Sequence, residues 1–133
     1  MERCIYYIVT ISTKRRKEIM EKLKDALQRI KVTGIRFRTY HIVRGETELG
    51  RATMAKVIIP ETGDAVISFA FCSPKDKYCK VKGQLIACGR LARVGKRRTL
   101  NNPSPENIKK LLVAEAEYRR IKWLEGITVD DLR

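Results

Sequence analysis

Residues 52–72 read ATMAKVIIPETGDAVISFAFC, and this stretch carries the clearest folding signal in the chain. Two runs rich in β-branched and aromatic residues, Ala52–Ile59 and Ala65–Cys72, flank Pro60–Asp64, which contains the proline and glycine typical of a turn. Such runs on either side of a short turn predict two antiparallel strands joined as a hairpin.

Two more strands are predicted upstream of the hairpin. Arg3–Ile11 and Ile35–Arg44 are both rich in β-branched and aromatic residues. Between them, apolar residues recur at helical spacing and predict a helix; they are Ile19, Met20, Leu23, Ala26, Leu27 and Ile30. Gly45–Gly50 is predicted as a Glu-rich turn that leads into the hairpin.

Two helices are predicted after the hairpin, each from a Ser-Pro start signal. Ser73-Pro74 opens the first, and Ser104-Pro105 opens the second, which we expect to continue to about Leu124. Residues 95–102 separate the helices, and Gly95–Arg98 within them are predicted to form a flexible basic loop. Residues 126–133 are expected to form a loosely attached tail.

This element order, β-α-β-β-β-α-α, predicts an α+β domain spanning residues 1–125. We expect a mainly antiparallel four-stranded sheet with helices packed on one face. A chain of 133 residues has room for one such domain. The longest apolar runs are far shorter than the ~18 residues of a membrane span, and no secretory signal is recognised, so we expect a cytoplasmic protein without membrane contact.

The charge of the chain points to an anionic partner. It has 29 Lys and Arg residues against 15 Asp and Glu residues, a formal net charge of +14. Such an imbalance costs self-repulsion and is typical of proteins that bind nucleic acid. The predicted phosphate contacts are Lys75, Lys82, Arg90 and Arg93 on the first Ser-Pro helix, and Lys96, Arg97 and Arg98 in the loop after it. A solvated polar helix face is the alternative interpretation.

The strand Ile35–Arg44 predicts a second part of the binding surface. One face, made of Ile35, Phe37, Thr39, His41 and Val43, suits a core. On the other face, Arg36, Arg38 and Tyr40 are predicted to form a platform that stacks on bases and pairs with phosphates. The alternative is an ordinary solvated face with Tyr40 packed under the arginine stems. Stacking side chains beside a positive groove favour single-stranded over duplex nucleic acid.

Residues 73–91 also resemble a known family. Ser73-Pro74-Lys75-Asp76-Lys77-Tyr78 is followed by Lys80, Lys82, Gly83, Ile86, Ala87, Gly89, Arg90 and Leu91. This segment resembles small thermophile archaeal and viral DNA-binding proteins, in particular the ThermoDBP type of single-stranded DNA-binding protein. The resemblance implies a small α+β domain with a cleft that grips bases, and an archaeal or viral origin. It assigns no individual base-gripping residue to this chain.

Cysteine and histidine usage argues against metal and catalytic-triad chemistry. The four cysteines include no C-x-x-C pair, and His41 is the only histidine, so we expect no metal site. The thiols are predicted to be reduced, with a Cys72–Cys79 or a Cys79–Cys88 disulfide as alternatives. Since the chain has no P-loop, dinucleotide fingerprint or nucleophile elbow, we expect no cofactor.

Two other functions stay open at this point. A metal-dependent nuclease would use carboxylates beside the basic groove, for which the candidates are Glu46, Glu48, Glu61 and Asp64, although exposed turn acids are the simpler interpretation. An RNA-binding or ribosome-associated module would use the same cations and rings. The apolar residues of the last helix also allow a homodimer. The sequence as a whole favours non-enzymatic, sequence-tolerant binding of single-stranded DNA.

Overall fold

The computed structural model of the protein describes residues 16–26, 32–77 and 80–133. In chain order its elements are α1 (Arg16–Ala26), β1 (Arg36–Arg44), β2 (Thr47–Ile58), β3 (Ala65–Cys72), α2 (Lys80–Leu91), β4 (Arg98–Leu100) and α3 (Pro105–Tyr118), followed by 3-10 turns at Lys122–Leu124 and Val129–Asp131. The predicted strand Arg3–Ile11 and part of the predicted first helix lie outside the described residues. Among the described helices, none has the length and apolar character that crossing a membrane requires.

The described strands form one antiparallel sheet in the order β1-β2-β3-β4. This confirms the predicted α+β class and the β2–β3 hairpin, and β3 has the predicted bounds. Arg98–Leu100 form β4 and pair with Ala65–Ile67, so the prediction of a flexible loop is wrong at Arg98. Leu100 packs against the main apolar cluster, and its burial accounts for a strand in an otherwise basic segment.

The connection between β1 and β2 is shorter than predicted. Only Gly45 and Glu46 separate the two strands, so most of the predicted turn Gly45–Gly50 is strand. Gly45 has a φ of 63°, in the left-handed region that favours glycine. Gly50 lies within β2, where a Cβ would overlap the ring of Trp123, so this glycine marks a close approach of two segments.

Apolar side chains along β3 alternate between two clusters. Ile67 and Phe69 pack in the cluster that contains Leu112 of α3, whereas Val66 packs in the cluster that contains Leu91 of α2. The helices therefore cover both faces of the sheet, which corrects the prediction of helices on one face. The reason is that β3 is buried over most of its length, and a strand without a polar face needs cover on both sides.

The two Ser-Pro start signals have different outcomes. The Ser104 hydroxyl accepts a hydrogen bond from the backbone N–H of Asn107 at 3.2 Å, which confirms it as the N-cap of α3. The Ser73 hydroxyl accepts from the N–H of Lys75 at 3.2 Å within a turn. The described part of α2 begins only at Lys80, so the prediction of a helix from Pro74 onward is wrong, and Lys75 does not lie on the helix.

The C-terminal residues pack firmly against β1, so the prediction of a loosely attached tail is wrong. His41 and Arg133 exchange two backbone hydrogen bonds of 2.8 Å each. Leu132 is 3% exposed and belongs to the main apolar cluster. The Arg44 guanidinium donates to the carbonyl oxygen of Gly126 at 2.9 Å. The last residues therefore complete the core on the α3 side of the sheet.

Candidate nucleic-acid interface

The candidate site lies along an open edge of the sheet. β4 pairs with β3 only over Ala65–Ile67, and within the described ranges no other strand continues along that side of β3. Arg90 of α2 reaches this edge, where its Nη1 donates to the carbonyl oxygen of Phe69 at 2.8 Å. Backbone groups alternate in direction along an antiparallel strand, so those of Phe71 point to the same edge.

Two cavities lie at this edge, and Phe71 lines both of them. The larger cavity, of about 470 Å³, is lined mainly by Cys72, Asp76, Lys77, Lys82, Gly83 and Ile86 in addition to Phe71. The smaller cavity, of about 270 Å³, is completed by Arg90, Arg119, Ile121 and Trp123. Because Phe71 lines both cavities, we treat them as one site, the Phe71 cleft.

The walls of the Phe71 cleft combine positive charge with ring surfaces. Its cations are Lys77, Lys82, Arg90 and Arg119, and its one lining carboxylate is that of Asp76. Phe71 and Trp123 are half-buried, so part of each ring is accessible from the cleft. Lys82 lies on α2 and is exposed. A polyanion with flat aromatic groups matches both kinds of wall.

A buried carboxylate organises the arginines at one end of the cleft. Glu115 of α3 has a side chain that is 4% exposed. Its Oε1 accepts from Nε of Arg119 at 2.9 Å, and its Oε2 accepts from Nε of Arg98 at 3.1 Å. Burial lowers the pKa of Arg90, and the nearby charge of Arg119 lowers it further. Arg98 and Arg119 thus share one carboxylate, and Arg90 lies close enough to Glu115 and Arg119 for both charges to act on it.

The remaining predicted loop cations lie next to this arginine cluster. Arg93 is exposed and close enough to Arg90 to lower its pKa, and its carbonyl oxygen accepts from the N–H of Arg97 at 3.1 Å. Lys96 is exposed in the same turn. Burial lowers the pKa of Arg97, whose Nη1 is buried and has no hydrogen-bond partner among the described residues. The structure therefore places Arg90, Arg93, Lys96, Arg97 and Arg98 in one region, with Arg98 in a strand.

Tyr118 is an aromatic residue of α3 that the sequence analysis did not assign to the binding surface. α3 ends at this residue, and a φ of 52° at Arg120 then turns the chain, so the predicted continuation to Leu124 is wrong. Tyr118 is consequently 75% exposed, and the Arg98 guanidinium carbon lies 5.3 Å from its ring centroid. An exposed ring beside a cation offers the stacking surface that had been predicted elsewhere.

The predicted platform on β1 does not form. Tyr40 is fully buried in the main apolar cluster, where burial raises its pKa, so its ring is unavailable to a base. Arg38 covers it, with the guanidinium carbon 4.5 Å from the ring centroid, as in the alternative of a solvated face. Arg36 and Arg38 are exposed, but β1 is the opposite edge of the sheet from β4. The platform does not form because the C-terminal segment, through Leu132, helps to bury Tyr40 and leaves Arg36 and Arg38 exposed on the same face of β1.

Lys75 differs from its predicted role, and Gly83 has a role in packing. Lys75 is exposed in the turn before α2 and does not line the Phe71 cleft. A Cβ on Gly83 would lie 2.6 Å from Oγ1 of Thr53, so the absence of a side chain serves the packing of α2 on β2. Among the predicted helix residues, Lys82 and Arg90 are the two that reach the cleft.

The cysteines and acids complete the inventory of reactive groups. Cys72 is half-buried and Cys88 is fully buried, whereas Cys4 and Cys79, the latter shared by both alternative disulfides, lie outside the described residues. Burial raises the pKa of the Cys72 thiol. Over the residues that the structure describes, His, Cys, Asp and Glu side chains form no group of three suited to a metal ion. The candidate nuclease acids Glu46, Glu48 and Glu61 are exposed, and Asp64 is half-buried at the β2–β3 turn.

Comparison with known proteins found no matching family model, no matching curated protein and no matching solved structure.

Proposed function

We propose that this protein binds single-stranded nucleic acid, with a preference for DNA and without sequence specificity, in the Phe71 cleft. The observation that supports the proposal most directly is the lining of that cleft, where Lys82, Arg90 and Arg119 surround the accessible rings of Phe71 and Trp123. Cations along a groove bind the phosphates of any sequence, and every base has a flat face that can stack. The resemblance of residues 73–91 to the ThermoDBP type agrees with this function.

The dimensions of the open edge suit a strand rather than a small ion. From Ile67, where β4 pairing ends, to Cys72, where β3 ends, the edge is about 17 Å long at ~3.3 Å per residue. The exposed cations Arg93 and Lys96 continue the positive surface beyond the arginine end of the cleft. A strand lying along the edge would meet cations over its whole course.

The rings of the cleft favour a single strand over a duplex. In a duplex the bases stack on one another, and their faces are not available to Phe71, Trp123 or the exposed Tyr118. The described helices also lack the docking arrangement of a duplex reader, because α2 and α3 lie on opposite faces of the sheet. We place this binding activity in the cytoplasm, a compartment that keeps cysteine thiols such as that of Cys72 reduced.

The experiment is a salt titration by fluorescence anisotropy, with labelled single-stranded DNA, duplex DNA and single-stranded RNA. We expect the tightest binding for single-stranded DNA, with affinity that falls steeply as salt rises. Lys82→Gln should lower the slope of log K against log salt by about 0.7, the value for one phosphate contact to a single strand. Arg36→Gln removes the same charge from an exposed site on β1 and should leave the slope unchanged.

Three outcomes would contradict the proposal. Equal effects of Lys82→Gln and Arg36→Gln would place binding on general surface charge. Tighter binding of duplex than of single-stranded DNA would argue against stacking in the cleft. Cleavage of the oligonucleotide in the presence of magnesium, abolished by Asp64→Ala, would instead favour the nuclease.

A further inference from the structure

The arginine end of the Phe71 cleft has features that the binding of an internal strand segment does not require. This smaller cavity, of about 270 Å³, has Arg90 and Arg119 on its walls together with the rings of Phe71 and Trp123. Its volume is just below the usual range for small-molecule sites and is suited to one nucleotide rather than to several. The cavity therefore holds a single unit of a strand at most.

The charges around this cavity do not balance. Arg98 and Arg119 each donate to one oxygen of Glu115, so both carboxylate oxygens are engaged. Arg90 donates to a neutral carbonyl group, that of Phe69. These three guanidinium groups and one carboxylate leave an excess of two positive charges. The side chains of Arg119 and Glu115 are 17% and 4% exposed, so water screens this excess only in part.

We propose that this cavity binds a nucleotide that carries a phosphate monoester, with the phosphate against Arg90 and Arg119 and the base against Phe71 and Trp123. A phosphate monoester carries about −1.5 to −2 charges at neutral pH and offers three strong acceptor oxygens, so it balances the excess of two positive charges. A phosphodiester within a strand carries one negative charge and leaves half of the excess uncompensated. The geometry thus favours a phosphorylated strand end, or a free nucleoside monophosphate, over an internal nucleotide.

This inference rests on the proposed function and adds a ligand class to it. A strand whose phosphorylated end occupies the arginine cavity continues along the open edge past Phe71 towards Lys82. Arg90 and Arg119 then recognise the end, while Lys77 and Lys82 bind phosphates that follow. End recognition sets the register of the strand without reading its sequence.

The test uses Trp123, the only tryptophan in the chain, as an internal reporter. Its fluorescence is titrated with three oligothymidines of about ten nucleotides, a length within the usual site size of single-strand binding proteins. One has hydroxyl groups at both ends, one has a 5′-phosphate and one has a 3′-phosphate. Thymidine monophosphate is the fourth probe. One phosphorylated oligonucleotide should bind about tenfold more tightly than the hydroxyl-ended one, because its phosphate forms charge-assisted hydrogen bonds that a hydroxyl group does not.

Two variants separate the cavity from the surrounding charge. Arg90→Gln keeps a donor for the Phe69 carbonyl group and should abolish the preference for the phosphorylated end. Arg93→Gln removes the same charge from an exposed position of the adjoining turn, and should weaken all oligonucleotides alike while keeping their ratio. If Arg90→Gln does not fold, Arg90→Lys keeps the charge, loses the planar fork and should reduce the preference.

The outcomes distinguish this inference from the proposed function. Equal binding of hydroxyl-ended and phosphorylated oligonucleotides overturns the inference and leaves strand binding intact. Thymidine monophosphate binding as tightly as the phosphorylated oligonucleotide, with no binding of the hydroxyl-ended one, supports the cavity and overturns the proposed function. A preference that survives in Arg90→Gln overturns the assignment of the phosphate to this cavity.

Discussion

Glu115 is the residue at which stability and anion binding can be separated. Its side chain is 4% exposed and pairs with Arg98 and Arg119, whose side chains are 31% and 17% exposed. Glu115→Gln keeps the shape of the side chain and removes its charge. The substitution leaves two guanidinium groups facing a neutral amide, with Arg90 still close by.

The expected cost follows from the burial of these partners. Removing one member of a buried ion pair typically costs 3–5 kcal/mol, because the other charge is left without compensation. Here water reaches part of Arg98 and some of Arg119, so the lower end of that range applies. We expect Glu115→Gln to lower the free energy of unfolding by about 3 kcal/mol.

The measurement is urea unfolding monitored by Trp123 fluorescence, with Glu117→Gln as the matched control. Glu117 lies on the same helix and is exposed, so removing its charge should change the free energy of unfolding by less than about 0.5 kcal/mol. The same loss of negative charge in Glu115→Gln should strengthen the binding of a phosphorylated oligonucleotide. A loss of stability below about 1 kcal/mol would refute the view that Glu115 neutralises the buried arginines.

Three more predictions follow from the packing. Gly83→Ala should lower the free energy of unfolding by about 1 kcal/mol, because the new Cβ would crowd Thr53. Gly89→Ala has open space around its Cβ and should raise the free energy of unfolding by about 0.5–1 kcal/mol. Urea unfolding of both variants tests the difference. Leu132→Ala should cost about 2 kcal/mol in the same assay, and a loss near zero would show that the C-terminal residues are loosely attached after all. Burial raises the pKa of Tyr40, so its contribution to stability is present below pH ~10 and is lost as pH rises through the folded-state pKa. Tyr40→Phe should therefore unfold less readily in alkali than the wild type. Identical alkaline unfolding of the two proteins would contradict this.

The hairpin was predictable because its signals are local. The runs Ala52–Ile59 and Ala65–Cys72 and the turn between them lie within a short stretch, and the structure confirms the pairing. β4 was not predictable in this way, since Arg98–Leu100 becomes a strand only through pairing with β3 and burial of Leu100. Composition alone favoured a loop there. Non-local pairing outweighs local propensity over such short segments.

Strand periodicity identified which residues of β1 share a face, but not which part of that face is covered. Arg36 lies opposite Lys56, whereas Tyr40 lies opposite the buried Ala52. The cover over Tyr40 comes partly from Leu132, which is distant in sequence. The residues of a strand face can therefore be read from the sequence, whereas the position of its solvent boundary depends on the tertiary structure.

The cleft itself shows the same division between local and non-local information. The basic character of α2 was evident from the sequence, and Lys82 and Arg90 do line the site. Arg119 and Trp123, which follow the end of α3 at Tyr118, complete the cleft next to Phe71 and Arg90. Sequence spacing alone does not indicate that this helix ends there.

Arg90 connects the structural and functional roles of the cleft. Its contact with the Phe69 carbonyl group needs only a donor, and a neutral amide would provide one without a buried charge. Burial and the neighbouring Arg119 lower the pKa of Arg90, whereas the carboxylate of Glu115 raises it, and the lowering effects are the larger. An anion bound between Arg90 and Arg119 reverses that balance, because it changes their mutual repulsion into shared attraction. The proposed ligand therefore compensates a positive charge that Glu115 compensates only in part.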